Sequence, residues 1–170
     1  MRFGFQDRTN YELMRLKVLH IIDCYLPETM NWIDSLLMQS EKECEHHIAA
    51  EYYINDENCK WKYVKSFGIK TSYPISNVNK IWNTLQQSSK IIALSKYISE
   101  NSIQIVHFHF GHMMNQYIQS LTDCDVSFCC SLYGFDYEYL PNKSKEVRVG
   151  KLFNFPYVEQ RTLKLSVLIL

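Results

Sequence analysis

The stretch IQIVHFHF (residues 103–110) decides the fold that the sequence predicts. It is a mostly apolar, β-rich run, and residues 112–122 directly after it have helical periodicity. Helical patterns also begin at about Thr29 and extend over 76–102, the latter as two helices broken near Ser88. Four more strand-like runs occur along the chain: KVLHIIDC (17–24), HHIAAEYYI (46–54), KYVKSFGI (62–69) and DVSFCCSLY (125–133). Strands that alternate with helices predict a Rossmann-like α/β domain, a parallel sheet with helices on both faces.

Composition limits the classes of protein that the chain can represent. Its 170 residues suffice for one domain that buries roughly 70% of its unfolded surface. Eighteen basic residues balance eighteen acidic ones without a basic stripe, so no nucleic acid partner is expected. No apolar run reaches the ~18 residues of a membrane span, so we expect no transmembrane segment and a cytoplasmic protein.

The six cysteines favour free thiols over disulfides or structural zinc. They are scattered and form no C-x-x-C pair. Cys129 and Cys130 are neighbours in an apolar run, where successive side chains of a strand point to opposite faces. We therefore expect reduced and mostly buried thiols.

Three of the predicted strands end in polar residues at their carboxyl ends. Because the carboxyl ends of parallel strands meet at one edge of a sheet, and ligands bind at that edge, these closing residues are the candidate site. His107 and His109 share a face of their strand. We expect His109, nearer the edge, to be functional and His107, deeper, to be a hydrogen-bonded core histidine. His112, in the first turn of the next helix, is expected to be solvated.

Gly111 separates the histidine strand from its helix. A residue without Cβ allows a sharp turn or a close approach of ligand to backbone, and the helix N-terminus suits an anionic group. Neither G-x-G-x-x-G nor G-x-x-x-x-G-K-[ST] is present. Ordinary dinucleotide and P-loop chemistry are therefore disfavoured.

Three stretches carry a family resemblance: KVLHIIDCYLPETMNWI (17–33), IQIVHFHFG (103–111) and SLYGFDYEYLP (131–141). Together they resemble the N-terminal half of GT-B glycosyltransferases of the family-four type, which assemble bacterial surface polysaccharides. The family's P-x-E-T-like turn is matched by Pro27, Glu28 and Thr29, and its H-x-H-F-G element by residues 107–111. Its H-G-Y-D or H-G-F-D element is matched by residues 134–136.

The resemblance implies a retaining transferase that moves a sugar from a nucleotide-sugar onto a glycan or lipid-linked acceptor. The family has two Rossmann-like domains and no obligatory metal. No cofactor is therefore expected, and the nucleotide-sugar is a co-substrate. Tyr133 stands where the family has a histidine, and a tyrosine hydroxyl is a poor proton acceptor at neutral pH. By resemblance the acceptor-binding residues are Glu28, Thr29, His109, Gly111, Tyr133 and Asp136.

The resemblance covers only part of a two-domain enzyme. It implies an N-terminal extension (1–16), an acceptor-binding domain (17–140) and a divergent or truncated tail (141–170). The tail ends in LKLSVLIL, an apolar run that we predict to be a strand in need of a neighbouring strand. The family's nucleotide-sugar domain has no counterpart here. We expect the chain to be inactive alone, and a separately encoded donor domain is one candidate partner. A lipid-linked acceptor would add peripheral attachment at the inner face of the cell membrane.

Two other functions are open at this point. An H-x-H pair at a strand end can chelate zinc in a metal-dependent hydrolase, although no histidine follows His112 to complete the set. A non-catalytic module that binds a glycan or a partner chain is the second. Tyr25, Trp32 and Tyr137 could stack on a sugar ring, although packing roles are more usual for such aromatics.

Overall fold

A computed structural model describes residues 15–25, 31–54, 59–133 and, for the backbone alone, 165–169. Within them the chain forms seven strands and four helices. The strands are β1 (Leu16–Tyr25), β2 (Cys44–Tyr53), β3 (Lys62–Tyr63), β4 (Ile69–Lys70), β5 (Ile105–His109), β6 (Ser127–Leu132) and β7 (Leu165–Ile169). The helices are α1 (Asn31–Gln39), α2 (Asn77–Leu85), α3 (Gln87–Asn101) and α4 (Gly111–Leu121).

The strands form one sheet in the order β3–β2–β1–β5–β6–β7, and β4 also pairs with β2. Every pairing among the described strands is parallel, which confirms the predicted Rossmann-like α/β class. The predicted terminal strand forms β7 and has β6 as its neighbour. The strand order reverses at β1, because β2 lies on one side of β1 and β5 lies on the other side. Ligands of open parallel sheets bind outside the carboxyl ends of the strands at such a reversal.

The central strand β1 is buried on both faces because its alternate residues pack against different helices. Leu19 and Ile21 are fully buried in a cluster with side chains of α3 and α4. Ile22 and Tyr25 pack on the other face with residues of α1, among them Ile33. Each fully buried Leu or Ile contributes roughly 1.5–3 kcal/mol of transfer free energy. Helix α1 thus covers one face of β1, and α3 and α4 cover the other.

The segment 62–69, predicted as one strand, instead forms the two short strands β3 and β4, joined by a turn. Phe67 is buried in this turn. A Cβ atom on the next residue, Gly68, would lie 1.9 Å from the carbonyl oxygen of Ala50 and 2.6 Å from the Tyr53 ring. Only a residue without a side chain allows the turn to approach the backbone of β2 so closely.

The predicted pair of helices over 76–102 is confirmed, with the break at Gln86 instead of near Ser88. Ser76 caps α2, since its hydroxyl accepts a hydrogen bond from the backbone N–H of Asn79 at 3.2 Å. Ser88 lies inside the first turn of α3. Serine is common at helix starts, so its occurrence in the sequence indicates the junction only approximately.

Helix α2 turns its polar side, not its apolar stripe, toward the sheet. Its apolar residues are between 55% and 74% exposed, and they are Val78, Ile81, Trp82 and Leu85. Asn83 is buried instead, because its amide group donates a hydrogen bond to Glu51 of β2 at 2.9 Å. No helix in the described part of the chain, α2 included, has the length and apolarity needed to cross a membrane.

All six cysteines are free thiols, as predicted, but the expectation that most are buried was wrong, because Cys24 and Cys130 alone are buried and the other four are partly exposed. Cys130 is fully buried among residues that face α3 and α4, whereas Cys129 lines a cavity on the opposite face. Burial raises the pKa of the Cys24 thiol to about 12. This thiol is therefore protonated at neutral pH and unreactive.

Replacing Gly68 with alanine should destabilise the fold. The added methyl group would overlap the Ala50 carbonyl, which belongs to the β2 backbone and cannot move without disturbing the sheet. We expect Gly68→Ala to lower the free energy of unfolding in urea by roughly 2–3 kcal/mol. The control Ser66→Ala, at an exposed position of the same turn, should change it by less than about 0.5 kcal/mol. Equal changes in the free energy of unfolding for the two variants would show that a Cβ atom fits at residue 68 without a clash.

Candidate functional site

Four imidazole rings lie in a row on the face of the sheet that α1 partly covers. They are contributed by three adjacent strands: His46 by β2, His20 by β1, and His107 and His109 by β5. The ring of His20 lies 5.1–5.2 Å from each of the other three, and the His107 and His109 rings are 4.2 Å apart. All four side chains are buried. The two-residue period of a strand places them there, since the residues between them face α3 and α4.

A continuous chain of hydrogen bonds passes through three of these rings. The Tyr133 hydroxyl is 2.9 Å from Nδ1 of His109, and Nε2 of His109 is 3.0 Å from Nδ1 of His20. Nε2 of His20 is 3.0 Å from Nδ1 of His46, whose Nε2 is 3.2 Å from the Ser40 hydroxyl. A neutral imidazole has one donor and one acceptor nitrogen. A single direction of donation along the chain therefore satisfies every ring.

These histidines are uncharged at neutral pH. Burial, reinforced by the neighbouring imidazoles, lowers the pKa of His20 and of His109 well below the usual histidine value. Burial, with His46 adding to the effect, lowers the pKa of His107 to about 4. Burial also lowers the pKa of His46. Each ring therefore keeps one nitrogen lone pair.

His107 is the hydrogen-bonded core histidine that the sequence predicts. Its Nε2 is 2.8 Å from the Ser131 hydroxyl of β6, and the side chain is buried. We expected His107 to lie deeper than His109. This expectation was wrong, because His107 is 8% exposed and His109 is fully buried. The physical reason is a cavity of about 600 Å³ over β1, β5 and β6, which His20 and His107 line and His109 does not.

An aromatic cluster surrounds the end of the imidazole row at the carboxyl edge of the sheet. The Tyr133 ring is stacked on His109 at 6.1 Å, with 6° between the ring planes, and its centroid lies 4.8 Å from that of Trp32 in an edge-on arrangement. Trp32, on α1, remains 41% exposed. Phe110 lies 4.9 Å from Tyr133. The edge thus combines an exposed aromatic ring with a phenol whose hydroxyl is bonded to a buried histidine.

The backbone between β5 and α4 is strained at Phe110. This residue has φ 78° and ψ 140°, a conformation that side chains with a Cβ rarely adopt and that costs of order 1–3 kcal/mol. The sequence placed the sharp turn at Gly111, but none of the glycines that the structure describes has a positive φ. Gly111 is instead the buried first residue of α4. Strain of this kind is concentrated at functional sites.

The structure brings together some of the sequence-predicted site residues. His109 and Tyr133 are in direct contact, and Gly111 begins the helix beside them. Glu28, Thr29 and Asp136 lie outside the described residues. Their predicted roles stay predictions.

Three other sequence expectations concern the surroundings of the site. His112 is half-buried against Phe110, with ring centroids 5.7 Å apart, so the expectation that it is solvated was wrong. Tyr25 is buried, and its hydroxyl donates to Asp34 at 2.6 Å, which is a packing role. Tyr137 is not among the described residues. Of the three aromatics considered for sugar stacking, Trp32 is the one with an exposed ring in the described structure.

A second buried polar cluster lies on the opposite face of the sheet, under α3 and α4. Its centre is Glu51 of β2, whose Oε1 accepts hydrogen bonds from the Tyr117 hydroxyl at 2.5 Å and the Gln116 amide at 2.8 Å. Its Oε2 accepts one from Asn83. The Lys90 ammonium lies 3.7 Å from Glu51 and also donates to Asn83. The cluster ties three helices to β2.

Asp23, near the end of β1, adds a second carboxyl group to this cluster. Burial raises the pKa of Asp23, and the charge of Glu51 raises it further. Burial lowers the pKa of Lys90, while Glu51 opposes that change. Shifted ionisable groups near a strand end are candidates for binding or proton transfer. The sequence signal for this cluster is an acidic residue within each of two apolar strands, HIIDC (20–24) and IAAEYY (48–53), and the site predicted from the sequence does not include it.

His20 and His46 also belong to the imidazole row, which the sequence pattern did not predict. No histidine follows His112, and the two that complete a set with the H-x-H pair precede it in the chain. β1 and β5 pair in parallel with His20 opposite His107. Strand order in the sheet, and not order in the sequence, decides which histidines meet.

The described fold and site define a class: a Rossmann-like α/β domain whose parallel sheet carries one buried polar cluster on each of its two faces. Comparison of the sequence with known proteins does not narrow this class, since no family model and no curated protein matches it. Function therefore has to be argued from the site and from the motifs.

Removing the buried lysine should destabilise the fold far more than removing an exposed one. Lys90 and Lys96 both belong to α3 and both lie 3.7 Å from a glutamate, but the Lys90 side chain is 1% exposed and that of Lys96 is 70% exposed. We expect Lys90→Met to lower the free energy of unfolding by roughly 3–5 kcal/mol, because Glu51 is left buried without its cation. Lys96→Met should cost less than about 0.5 kcal/mol. Urea unfolding of both variants tests this, and similar losses would refute it.

Proposed function

We propose that this domain holds the saccharide acceptor of a glycosyltransferase that uses a nucleotide-sugar donor. The proposal is supported by the arrangement of the three stretches that resemble the family-four GT-B enzymes. They belong to β1, β5 and β6, which are adjacent and parallel, so the three stretches reach the same edge of the sheet. In that family the corresponding edge faces the acceptor.

The observation that carries the proposal is the group formed by Trp32, Tyr133 and His109. A sugar ring presents apolar C–H faces and hydroxyl groups, and it therefore suits a site with aromatic surface and a few fixed polar atoms. Trp32 supplies exposed aromatic surface at the sheet edge. Tyr133 supplies a hydroxyl that the hydrogen bond to His109 holds in place.

In this proposal His109 is a positioning residue, since it is fully buried. Its hydrogen bond and its parallel stacking fix the orientation of the Tyr133 ring. The phenolic oxygen then accepts a hydrogen bond from an acceptor hydroxyl. A fixed hydroxyl partner orients the acceptor oxygen for attack without having to accept its proton.

Sugar transfer needs a second component in this proposal. In the family the nucleotide-sugar lies in another Rossmann-like domain, and the reaction takes place in the cleft between the two. A separately encoded donor domain would supply that half. The 170-residue chain alone is then expected to bind saccharides without turning over a nucleotide-sugar.

A non-catalytic glycan-binding module would use the same surface. The two functions differ in what happens when a donor domain is added. Transfer of a sugar from UDP-glucose or another nucleotide-sugar to the bound saccharide would support the acceptor role. Unchanged saccharide binding without transfer would support the module.

Replacing Trp32 should weaken saccharide binding. We expect the chain to bind simple saccharides, or octyl glycosides that stand in for a lipid-linked sugar, with dissociation constants of about 1 mM. Trp32→Ala should weaken this binding about tenfold, or roughly 1.4 kcal/mol. Tyr133→Phe should weaken it by a similar factor, because the hydroxyl is lost. Saturation-transfer NMR against a panel of hexoses, N-acetylhexosamines and deoxyhexoses measures the effect.

Two variants serve as matched controls. Trp82 and Tyr73 are also exposed aromatics, but they belong to α2 and to the loop before it. Trp82→Ala and Tyr73→Phe should leave the dissociation constants unchanged within about twofold. The proposal fails if no saccharide of the panel binds, or if Trp82→Ala weakens binding as much as Trp32→Ala does.

A further inference from the structure

We infer that His20, His107 and His109 form a binding site for a zinc-type divalent metal ion. One ring nitrogen from each of the three histidines lies within 4.8 Å of the corresponding nitrogens of the other two. The rings come from two adjacent strands, β1 and β5, and His20 and His107 stand opposite each other in the pairing. The site shares His109 with the saccharide site proposed above, but the argument for the metal ion does not rest on saccharide binding.

The spacing of the nitrogens is close to that of a tetrahedral zinc site. Zinc binds imidazole nitrogen at about 2.0–2.1 Å, which puts two ligand nitrogens about 3.3 Å apart. Nδ1 of His20 and Nε2 of His109 are 3.0 Å apart. A shift of a few tenths of an ångström therefore opens enough room for the ion. The ring of His107, 4.2 Å from that of His109 and 5.2 Å from that of His20, stands at the third corner.

The outer nitrogen of each ring already has a partner. Nε2 of His20 is bonded to His46, Nδ1 of His109 to Tyr133, and Nε2 of His107 to Ser131, all within 3.0 Å. Metal-binding histidines almost always donate their second N–H to such a partner, which fixes the tautomer and the ring orientation. Here each partner atom can accept, so one pattern of protonation leaves all three inner nitrogens as ligands.

All three ligands that the site offers are imidazole nitrogens. Neutral imidazole is the form that binds metals. Nitrogen ligands favour zinc and the neighbouring transition metals, whereas Mg²⁺ and Ca²⁺ require oxygen.

The cavity of about 600 Å³ provides an approach and a fourth position. His20 and His107 line it together with apolar side chains, among them Val18, Leu37 and Ile105. An ion held by three imidazoles at this wall would face the cavity with its remaining coordination position. Three protein ligands and one open position are the arrangement of catalytic zinc, in contrast to the closed sets of structural zinc. A water molecule or an anion could occupy that position.

Titration of the EDTA-dialysed chain with metal ions tests the inference. Zn²⁺, followed by isothermal calorimetry, should bind with one equivalent and a dissociation constant below about 1 µM. Mg²⁺ should not bind. Zinc X-ray absorption of the wild-type protein should show imidazole nitrogens at about 2.0–2.1 Å and no sulfur at about 2.3 Å. This measurement does not depend on the folding of any variant, and it distinguishes the histidines from the six cysteines.

Substitutions then identify the ligands. His20→Asn and His107→Asn should each weaken zinc binding at least about 100-fold. Ser131→Ala, which removes only the partner of His107, should weaken it about tenfold. The matched control is His47→Asn, because His47 is a fully buried histidine of β2 that bonds to Tyr97 and Glu45 on the other face of the sheet. It should change the dissociation constant by less than twofold.

Three results would overturn the inference. One is the absence of zinc binding tighter than about 0.1 mM in the wild-type chain. Another is sulfur in the ligand shell of the bound zinc, which would place the ion at cysteines. The third is a loss of affinity in His47→Asn equal to that in His20→Asn. None of these results bears on saccharide binding, which is measured without metal.

Discussion

The structure depends on the burial of β1 on both of its faces. Apolar residues of one parity, such as Leu19 and Ile21, pack under α3 and α4. On its other face the strand buries His20, whose polar ring needs a hydrogen-bond partner inside the protein. The neighbouring strands meet that requirement: β2 brings His46 and β5 brings His109, and both bond to His20. The polar row is thus a direct consequence of one buried histidine in the central strand β1.

The two faces of the sheet carry buried polar groups of opposite kinds. The face under α1 holds neutral imidazoles that end at Tyr133, and the face under α3 and α4 holds the carboxylate of Glu51 with Lys90. Their electrostatic properties differ for this reason. Neutral nitrogen lone pairs suit the inferred metal ion, and a hydroxyl with aromatic surface suits the proposed saccharide. The paired ions hold the helices in place at a desolvation cost that makes their individual loss expensive.

The sequence predicted the fold class well because alternation of strands and helices is a local property. Parallel pairing and the order of elements followed from it, and His107 was correctly predicted as a hydrogen-bonded core residue. Three features could not be predicted in this way. The contact of His20 with β5 depends on which strands are neighbours, and the interruption at Gly68 depends on the approach of a turn to β2. The exposure of the apolar stripe of α2 depends on the bond between Asn83 and Glu51.

The alternation of polar groups in β2 also determines how this strand aligns with β1. Its eight residues from His46 to Tyr53 are all buried, and Ile48, Ala49 and Ala50 by themselves do not distinguish one face from the other. A slip of one residue would move Glu51 from the lysine side into the imidazole side and leave its carboxylate without Lys90 and Asn83. The free-energy cost of burying an ionisable group without a partner disfavours that alignment. The buried ionisable residues therefore select one strand register where apolar packing alone would accept two.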